Sequence, residues 1–141
     1  MKLFLDDVRE PRDCIGYMHH RIGALNPIYL EEWVIAKNYA EFVQAIKDHH
    51  KEITHISFDH DLADGHYHKN MQEGVLNYNA PDFLDNANKT GYHAAQYMKT
   101  YYDTGNIPYP VIFVHSMNPV GTENIINLFK SNKNEPIKPN H

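Results

Sequence analysis

Side chains capable of catalysis or cation binding directly follow three short apolar runs of the chain. These runs cover residues 3–5, 53–58 and 111–114, and the polar residues that follow them are Asp6, Asp7, Asp59, His60, Asp61, His115, Ser116 and Asn118. Carboxylates and imidazoles bind cations and transfer protons. In parallel α/β sheets, ligand sites lie beyond the carboxyl ends of the strands. The spacing therefore predicts one polar site at one edge of a sheet.

The acidic residues of this predicted site indicate a cation. Several carboxylates at one edge would repel one another and raise their own pKa values. A hard divalent cation removes that repulsion, and carboxylate oxygens are ligands that Mg²⁺ and Mn²⁺ prefer. We expect Asp6, Asp7 and Asp59 to hold Mg²⁺ or Mn²⁺. An isolated Asp at a strand end could instead cap a turn, but three clusters together favour a site.

The remaining polar residues are candidates for catalysis and substrate binding. We expect catalytic roles for Asp59, His60, Asp61 and His115. Either histidine could transfer a proton, and Asp61 could orient one of them. Candidates for substrate contacts are Arg9, Ser116, Asn118, His66 and His68. Arg9 could instead pair with Asp7, and the two loop histidines could instead be solvated.

Helical segments alternate with the apolar runs. A further strand is predicted at residues 33–36, and Asn38 with Glu41 three residues later marks the start of an amphipathic helix. Thr90 opens a second helix that ends at Gly105, and Thr122 opens a third. This order predicts an α/β fold with a mainly parallel sheet of about four strands and helices on both faces.

Length and composition limit the other possibilities. The 141 residues predict one domain spanning 1–141, with long connections 8–30 and 62–89 over the site and a polar tail at 131–141. The net charge of −5 argues against a nucleic-acid binder that acts through a bulk positive field. The single cysteine excludes an internal disulfide framework, and we find no apolar stretch of membrane or signal length. We expect a cytoplasmic protein.

Four motifs occur in an order that resembles a known family. They are residues 3–11 (LFLDDVREP), 56–62 (ISFDHDL), 90–92 (TGY) and 115–121 (HSMNPVG). Together they resemble the cyclic-phosphate processing receiver domain family over residues 3–129. The resemblance implies a receiver-like (flavodoxin-like) fold. It also implies binding or hydrolysis of a cyclic-phosphate-containing nucleotide, in settings that include nucleotide signalling and bacterial and phage conflict. We expect metal-dependent processing of such a nucleotide.

Three other functions stay open at this point. An ordinary phosphorelay receiver would use Asp59 as phosphoacceptor, but no clear fifth strand with a lysine follows Phe129. A haloacid-dehalogenase-like phosphatase would use Asp59 as nucleophile and Asp61 as acid, although Leu62 stands where that motif usually has Thr or Val. A non-catalytic protein could sequester the nucleotide at the same site.

Overall fold

The computed structural model describes residues 1–17, 27–62 and 89–130. In these ranges the chain forms four strands, four α-helices and one short 3₁₀ helix in the predicted alternation. The elements are β1 (Lys2–Leu5), α1 (Asp13–Tyr17), the 3₁₀ helix (Pro27–Leu30), β2 (Val34–Ala36), α2 (Tyr39–His49), β3 (His55–Phe58), α3 (Gly91–Thr104), β4 (Val111–Val114) and α4 (Pro119–Lys130).

The four strands form one sheet in the order β2, β1, β3, β4, and every neighbouring pair is parallel. The chain passes from β1 to β2 on one side and then to β3 on the other side of β1. The carboxyl ends of β1 and β3 therefore flank the topological switch point, where open α/β sheets bind ligands. The predicted receiver-like α/β fold is confirmed.

Two apolar cores cover the two faces of the sheet. Leu3, Leu5, Ile56 and Phe58 lie on one face and pack against buried side chains of α2, α3 and α4. Phe4 points to the other face because side chains alternate along a strand. There it clusters with Cys14 of α1 and Tyr29 of the 3₁₀ helix, and with partly buried Trp33 and Ile35. Helices cover both faces, as predicted, but all three long helices share one face.

The helix starts follow from local capping. The Asn38 side chain accepts a hydrogen bond from the Glu41 amide, and the Thr90 hydroxyl accepts from the Tyr92 amide, as the sequence predicted. The predicted start of the last helix at Thr122 is wrong, because α4 begins at Pro119. A proline suits the first helical position since its missing N–H would have no partner there.

Several predictions lie outside the described residues. These concern the connection 62–89 with its histidines His66 and His68, and the tail 131–141. The connection 8–30 contains α1 and the 3₁₀ helix within its described part. In the portions of the chain that the structure describes, no helix is long and apolar enough to cross a membrane. The single-domain organisation stays a prediction.

Gly91 brings α3 directly against the end of β3. Its amide donates to the His60 carbonyl at 2.7 Å, and a Cβ at this position would lie 1.7 Å from the Asp59 carbonyl oxygen. We therefore expect Gly91→Ala to lower the free energy of unfolding by about 3 kcal/mol, measured by urea denaturation. Gly105→Ala is the matched control, because its Cβ would meet the flexible Ile107 side chain at 2.9 Å and the Tyr101 carbonyl oxygen only at an ordinary 3.4 Å. Equal losses in the two variants would contradict this packing.

Candidate functional site

Three predicted site residues occupy one row across the sheet. The parallel ladder continues one residue past the strands, since the Asp59 amide donates to the Leu5 carbonyl and the His115 amide to the Phe58 carbonyl, both at 2.9 Å. Residues in register point to the same face of a sheet. Asp6, Asp59 and His115 each offer a ligand atom, and these three atoms lie within 4.8 Å of one another. The sheet register thus builds a buried group of two carboxylates and one imidazole.

Asp6 is held in its ionised form. Its Oδ1 accepts from the amides of Val8 at 3.0 Å and Arg9 at 2.8 Å, and its Oδ2 lies 3.1 Å from His115 Nε2. Burial alone would raise the pKa of Asp6, but these hydrogen bonds lower it below the ordinary value. Burial lowers the pKa of His115, against the opposing effect of Asp6. The pair is therefore a carboxylate beside a neutral imidazole at pH 7.

Asp59 behaves in the opposite way. Burial and, to a smaller extent, the charge of Asp6 raise its pKa to about 8, because Arg9 only partly offsets these effects. Its Oδ1 accepts a hydrogen bond from the His60 amide at 2.9 Å. Two neighbouring carboxylates in one buried site do not both ionise readily without a counter-charge. In the ion-free protein, Asp59 therefore carries a proton at neutral pH while Asp6 does not.

Arg9 lies against both of these carboxylates. Its Nη1 atom is 3.6 Å from Asp6 Oδ2 and 3.8 Å from Asp59 Oδ2. The sequence suggested Asp7 or a phosphate as its partner, so these two ion pairs were not predicted. Asp7 itself is partly buried and is not one of the three clustered residues. Its role as a metal ligand stays a prediction.

His60 forms a dyad with Asp61, and both residues directly follow Asp59 in the chain. His60 Nδ1 lies 2.7 Å from Asp61 Oδ1. The side-chain nitrogen Nδ2 of Asn118 lies 3.2 and 3.3 Å from the two Asp61 oxygens. The ring packs against the first turn of α4, where a Cβ on Gly121 would stand 2.3 Å from His60 Cγ. Of the two histidines considered from the sequence, His60 is thus the one that Asp61 orients.

Comparison with known protein families identifies the family to which the chain belongs. The model of the family described as cyclic-phosphate processing receiver domain matches residues 1–131. The chain belongs to this family. The match includes all the described elements, from β1 to α4. No match is found among curated proteins or among solved structures.

Family membership confirms the resemblance seen in the sequence motifs. The family description connects this receiver domain with cyclic-phosphate processing. In the described part of the chain the sheet ends at β4, so no fifth strand is seen there. The cytoplasmic location and a role in bacterial or phage conflict stay predictions.

Ser116 and Asn118 of the receiver domain shape the turn between β4 and α4. The backbone N–H of Asn118 donates to Ser116 Oγ at 3.1 Å. The side-chain oxygen Oδ1 of Asn118 accepts from the backbone N–H of Gly121 at 3.0 Å. Both side chains are buried. Asn118 thus caps α4 and orients Asp61 at once. Phosphate contacts by these residues, and by His66 and His68, which lie outside the described residues, stay predictions.

The sequence interpretation missed two residues at this site. Ser57 Oγ lies 2.7 Å from His115 Nδ1, and the Tyr29 hydroxyl lies 2.8 Å from Ser57 Oγ. Ser57 is a polar residue between the apolar Ile56 and Phe58, and that signal could have found it. Tyr29 lies in a connection without periodicity, and no pattern in the sequence points to it.

Proposed function

We propose that this receiver domain hydrolyses a cyclic-phosphate-containing nucleotide with a divalent cation, Mg²⁺ or Mn²⁺, bound at Asp6 and Asp59. The observation that carries the proposal is the clustering of these two carboxylates and the His115 ring within 4.8 Å. The family description supports a cyclic phosphate as the substrate class. The His60 and Asp61 dyad lies next in the chain and supplies a group for proton transfer.

The donor set fits a hard divalent cation. Both carboxylates are almost fully buried, and the raised pKa of Asp59 measures how poorly its charge is balanced in the ion-free protein. Asp6 and Asp59 would hold the cation, and Asp59 would then give up its proton because its negative charge would be balanced. When bound, the cation would neutralise phosphate oxygens and promote ionisation of a water molecule.

His60 is the residue that we assign to proton transfer. Opening a cyclic phosphodiester forms one bond from water oxygen to phosphorus, breaks one ester P–O bond, and moves a proton to the leaving oxygen. His60 Nδ1–H donates to Asp61 Oδ1 at 2.7 Å, so the lone pair of the neutral ring is on Nε2. That nitrogen can accept the proton of the water and return it to the leaving oxygen.

Asp61 is placed as an acceptor rather than as an acid. Its carboxylate accepts from His60 and, through both oxygens, from Asn118. A carboxyl group that protonated a leaving oxygen would have to present a proton instead. This arrangement favours direct attack by water over the phosphatase alternative, in which Asp61 is the acid.

We expect the Arg9 guanidinium to exchange its contacts with the two carboxylates for contacts with the substrate. Its Nη1 distances of 3.6 and 3.8 Å are ion-pair contacts longer than a normal hydrogen bond. Its side chain is about one-third exposed, so it can turn toward solvent without unpacking the core. Once a cation balances Asp6 and Asp59, the guanidinium is available for a phosphate oxygen, which it can bind through two donors.

The experiment is a ³¹P NMR assay of a panel of 2′,3′- and 3′,5′-cyclic nucleotides, with Mg²⁺, with Mn²⁺ and with a chelator. We expect conversion of at least one to a phosphomonoester only when a cation is present. Asp59→Asn should abolish this conversion, whereas the matched control Asp48→Asn, on the exposed surface of α2, should retain it. Stoichiometric nucleotide binding without any product would instead support sequestration.

The same assay distinguishes the covalent alternative. A phosphatase using Asp59 as nucleophile would form an acyl phosphate on that residue, and a phosphate-mimicking fluoride would form an analogue of it on the same carboxylate. We expect no such adduct, since water attacks phosphorus directly in our proposal. An adduct on Asp59 would overturn that part of it.

A further inference from the structure

A chain of hydrogen bonds connects Tyr29 to Asp6 through two other buried residues. The Tyr29 hydroxyl lies 2.8 Å from Ser57 Oγ, Ser57 Oγ lies 2.7 Å from His115 Nδ1, and His115 Nε2 lies 3.1 Å from Asp6 Oδ2. All four residues are buried, Tyr29 being the most exposed at 4 %. Each hydroxyl and ring proton on this chain therefore needs a hydrogen-bond acceptor.

The positions of these protons follow from the Tyr29 end. Among the residues that the structure describes, Ser57 Oγ is the one hydrogen-bond partner of the Tyr29 hydroxyl. Within the described residues, Tyr29 satisfies its buried proton by donating to Ser57. Ser57 then donates its single proton to His115 Nδ1, which must act as an acceptor. The proton of the neutral His115 ring is consequently on Nε2 and is donated to Asp6.

The opposite direction of hydrogen-bond donation is unfavourable at both ends of the chain from Tyr29 to Asp6. With the ring proton on Nδ1, Ser57 would accept it and donate to Tyr29, whose own proton would lose its partner. At the other end, the Nε2 lone pair would face a carboxylate oxygen at 3.1 Å. The Phe4 ring, stacked on His115 at a centroid distance of 4.2 Å, holds the imidazole plane in place. The two ends of the chain thus favour the same direction.

We propose that Tyr29, acting through Ser57, holds His115 as an N–H donor to Asp6 and so keeps His115 from ligating the cation. Tyr29 and Ser57 are then positioning residues. The consequence for ion selectivity rests on the proposed function, because it requires a cation at Asp6 and Asp59. That cation meets oxygen ligands, which Mg²⁺ and Mn²⁺ prefer, whereas an imidazole ligand would favour Zn²⁺.

The test uses Tyr29→Phe, which keeps the aromatic ring beside Phe4 and Trp33 and removes only the hydroxyl. Without it, Ser57 can accept a proton from Nδ1 and leave Nε2 for a cation. We expect Zn²⁺ affinity to rise roughly tenfold, the effect of one buried unsatisfied hydroxyl, and Mg²⁺ affinity to stay unchanged. Tyr102→Phe is the matched control, since Tyr102 is also buried and its hydroxyl donates to the His50 carbonyl.

A second measurement reads the His115 proton itself and needs no variant of Tyr29. Long-range ¹H–¹⁵N NMR of the ion-free wild-type protein, with His115→Gln used for assignment, should show the proton on Nε2. The proton should stay there with Mg²⁺ bound, and in Tyr29→Phe it should move to Nδ1 on addition of Zn²⁺. A wild-type ring protonated on Nδ1 would overturn the inference.

The outcomes separate this inference from the proposed function. If wild type and Tyr29→Phe both bind Mg²⁺ but show the same ratio of Zn²⁺ to Mg²⁺ affinity, the role of Tyr29 in selectivity is overturned while the cation site stands. If neither protein binds Mg²⁺, the proposed function fails and the selectivity with it. The NMR spectrum of the ion-free protein still decides the His115 tautomer in that case.

Discussion

Replacing Asp59 by Asn is expected to raise the melting temperature of the ion-free protein at pH 8.5 by roughly 10 °C, and by about half as much at pH 5. Burial and the neighbouring Asp6 raise the pKa of Asp59 to about 8 from an ordinary value of 3.8. An Asn side chain resembles the protonated carboxyl and can still accept the hydrogen bond from the His60 amide. The variant therefore removes the cost of burying a charge.

The sign and size follow from proton linkage. Because the folded-state pKa is raised, the stabilisation from protonated Asp59 is fully present below about pH 4 and is lost as the pH rises through about 8. Each pKa unit corresponds to about 1.4 kcal/mol, so even half of this shift gives on the order of 3 kcal/mol. For a domain of this size, that is on the order of 10 °C in the melting temperature.

The control for this experiment is Asp48→Asn, which changes an exposed carboxylate on α2. We expect its melting temperature to follow that of the wild type at both pH values. Thermal unfolding monitored by circular dichroism in the presence of a chelator measures all three proteins. A lower melting temperature for Asp59→Asn at pH 8.5 would show that Asp59 is stabilising as an anion, contrary to our description of the site.

Replacing His60 by Asn is expected to slow opening of the phosphate ring by about 100-fold or more, the usual contribution of a general acid or base. The Asn amide nitrogen can take the place of ring Nδ1 and donate to Asp61. What the variant lacks is the basic Nε2 atom. The cation site at Asp6 and Asp59 stays intact, so we expect Mn²⁺ affinity within about threefold of wild type.

His49→Asn is the matched histidine control, since His49 is an exposed residue at the end of α2. It should keep wild-type activity in the same ³¹P NMR assay. If His60→Asn and His49→Asn open the ring equally fast, proton transfer does not pass through His60. If His60→Asn loses Mn²⁺ binding as well, the two parts of the site are not separable in the way that we propose.

The fold was predictable because its signals are local. Three of the four strands, β1, β3 and β4, are short and largely apolar and are followed at once by Asp6, Asp59 and His115. Asn38 and Thr90 cap the helices that they precede. The start of α4 was misplaced because Asn-Pro was interpreted as a turn, whereas Asn118 is the cap and Pro119 the first helical residue. The same Asn-Pro sequence occurs in turns and at helix starts, and only the backbone conformation distinguishes the two.

The site was predictable in its location and only partly in its contacts. The rule on strand ends located Asp6, Asp59 and His115 at one edge, but only the register shows that they share a row. Asp7 lies one residue beyond that row, in the bend that follows β1, and is not among the three clustered residues. The contacts of Arg9 and Tyr29 depend on how irregular segments fold back, which hydrophobic periodicity does not encode.

The most direct test of our account is the Mn²⁺ affinity of the wild-type protein measured from pH 6 to pH 9 by water-proton relaxation. If the cation displaces one proton from Asp59, whose pKa is about 8, the affinity should rise about tenfold per pH unit up to pH 8. It should then level off, and Asp59→Asn should bind Mn²⁺ weakly at every pH. No Mn²⁺ binding by the wild type, or equal binding by Asp59→Asn, would contradict a cation site at Asp6 and Asp59.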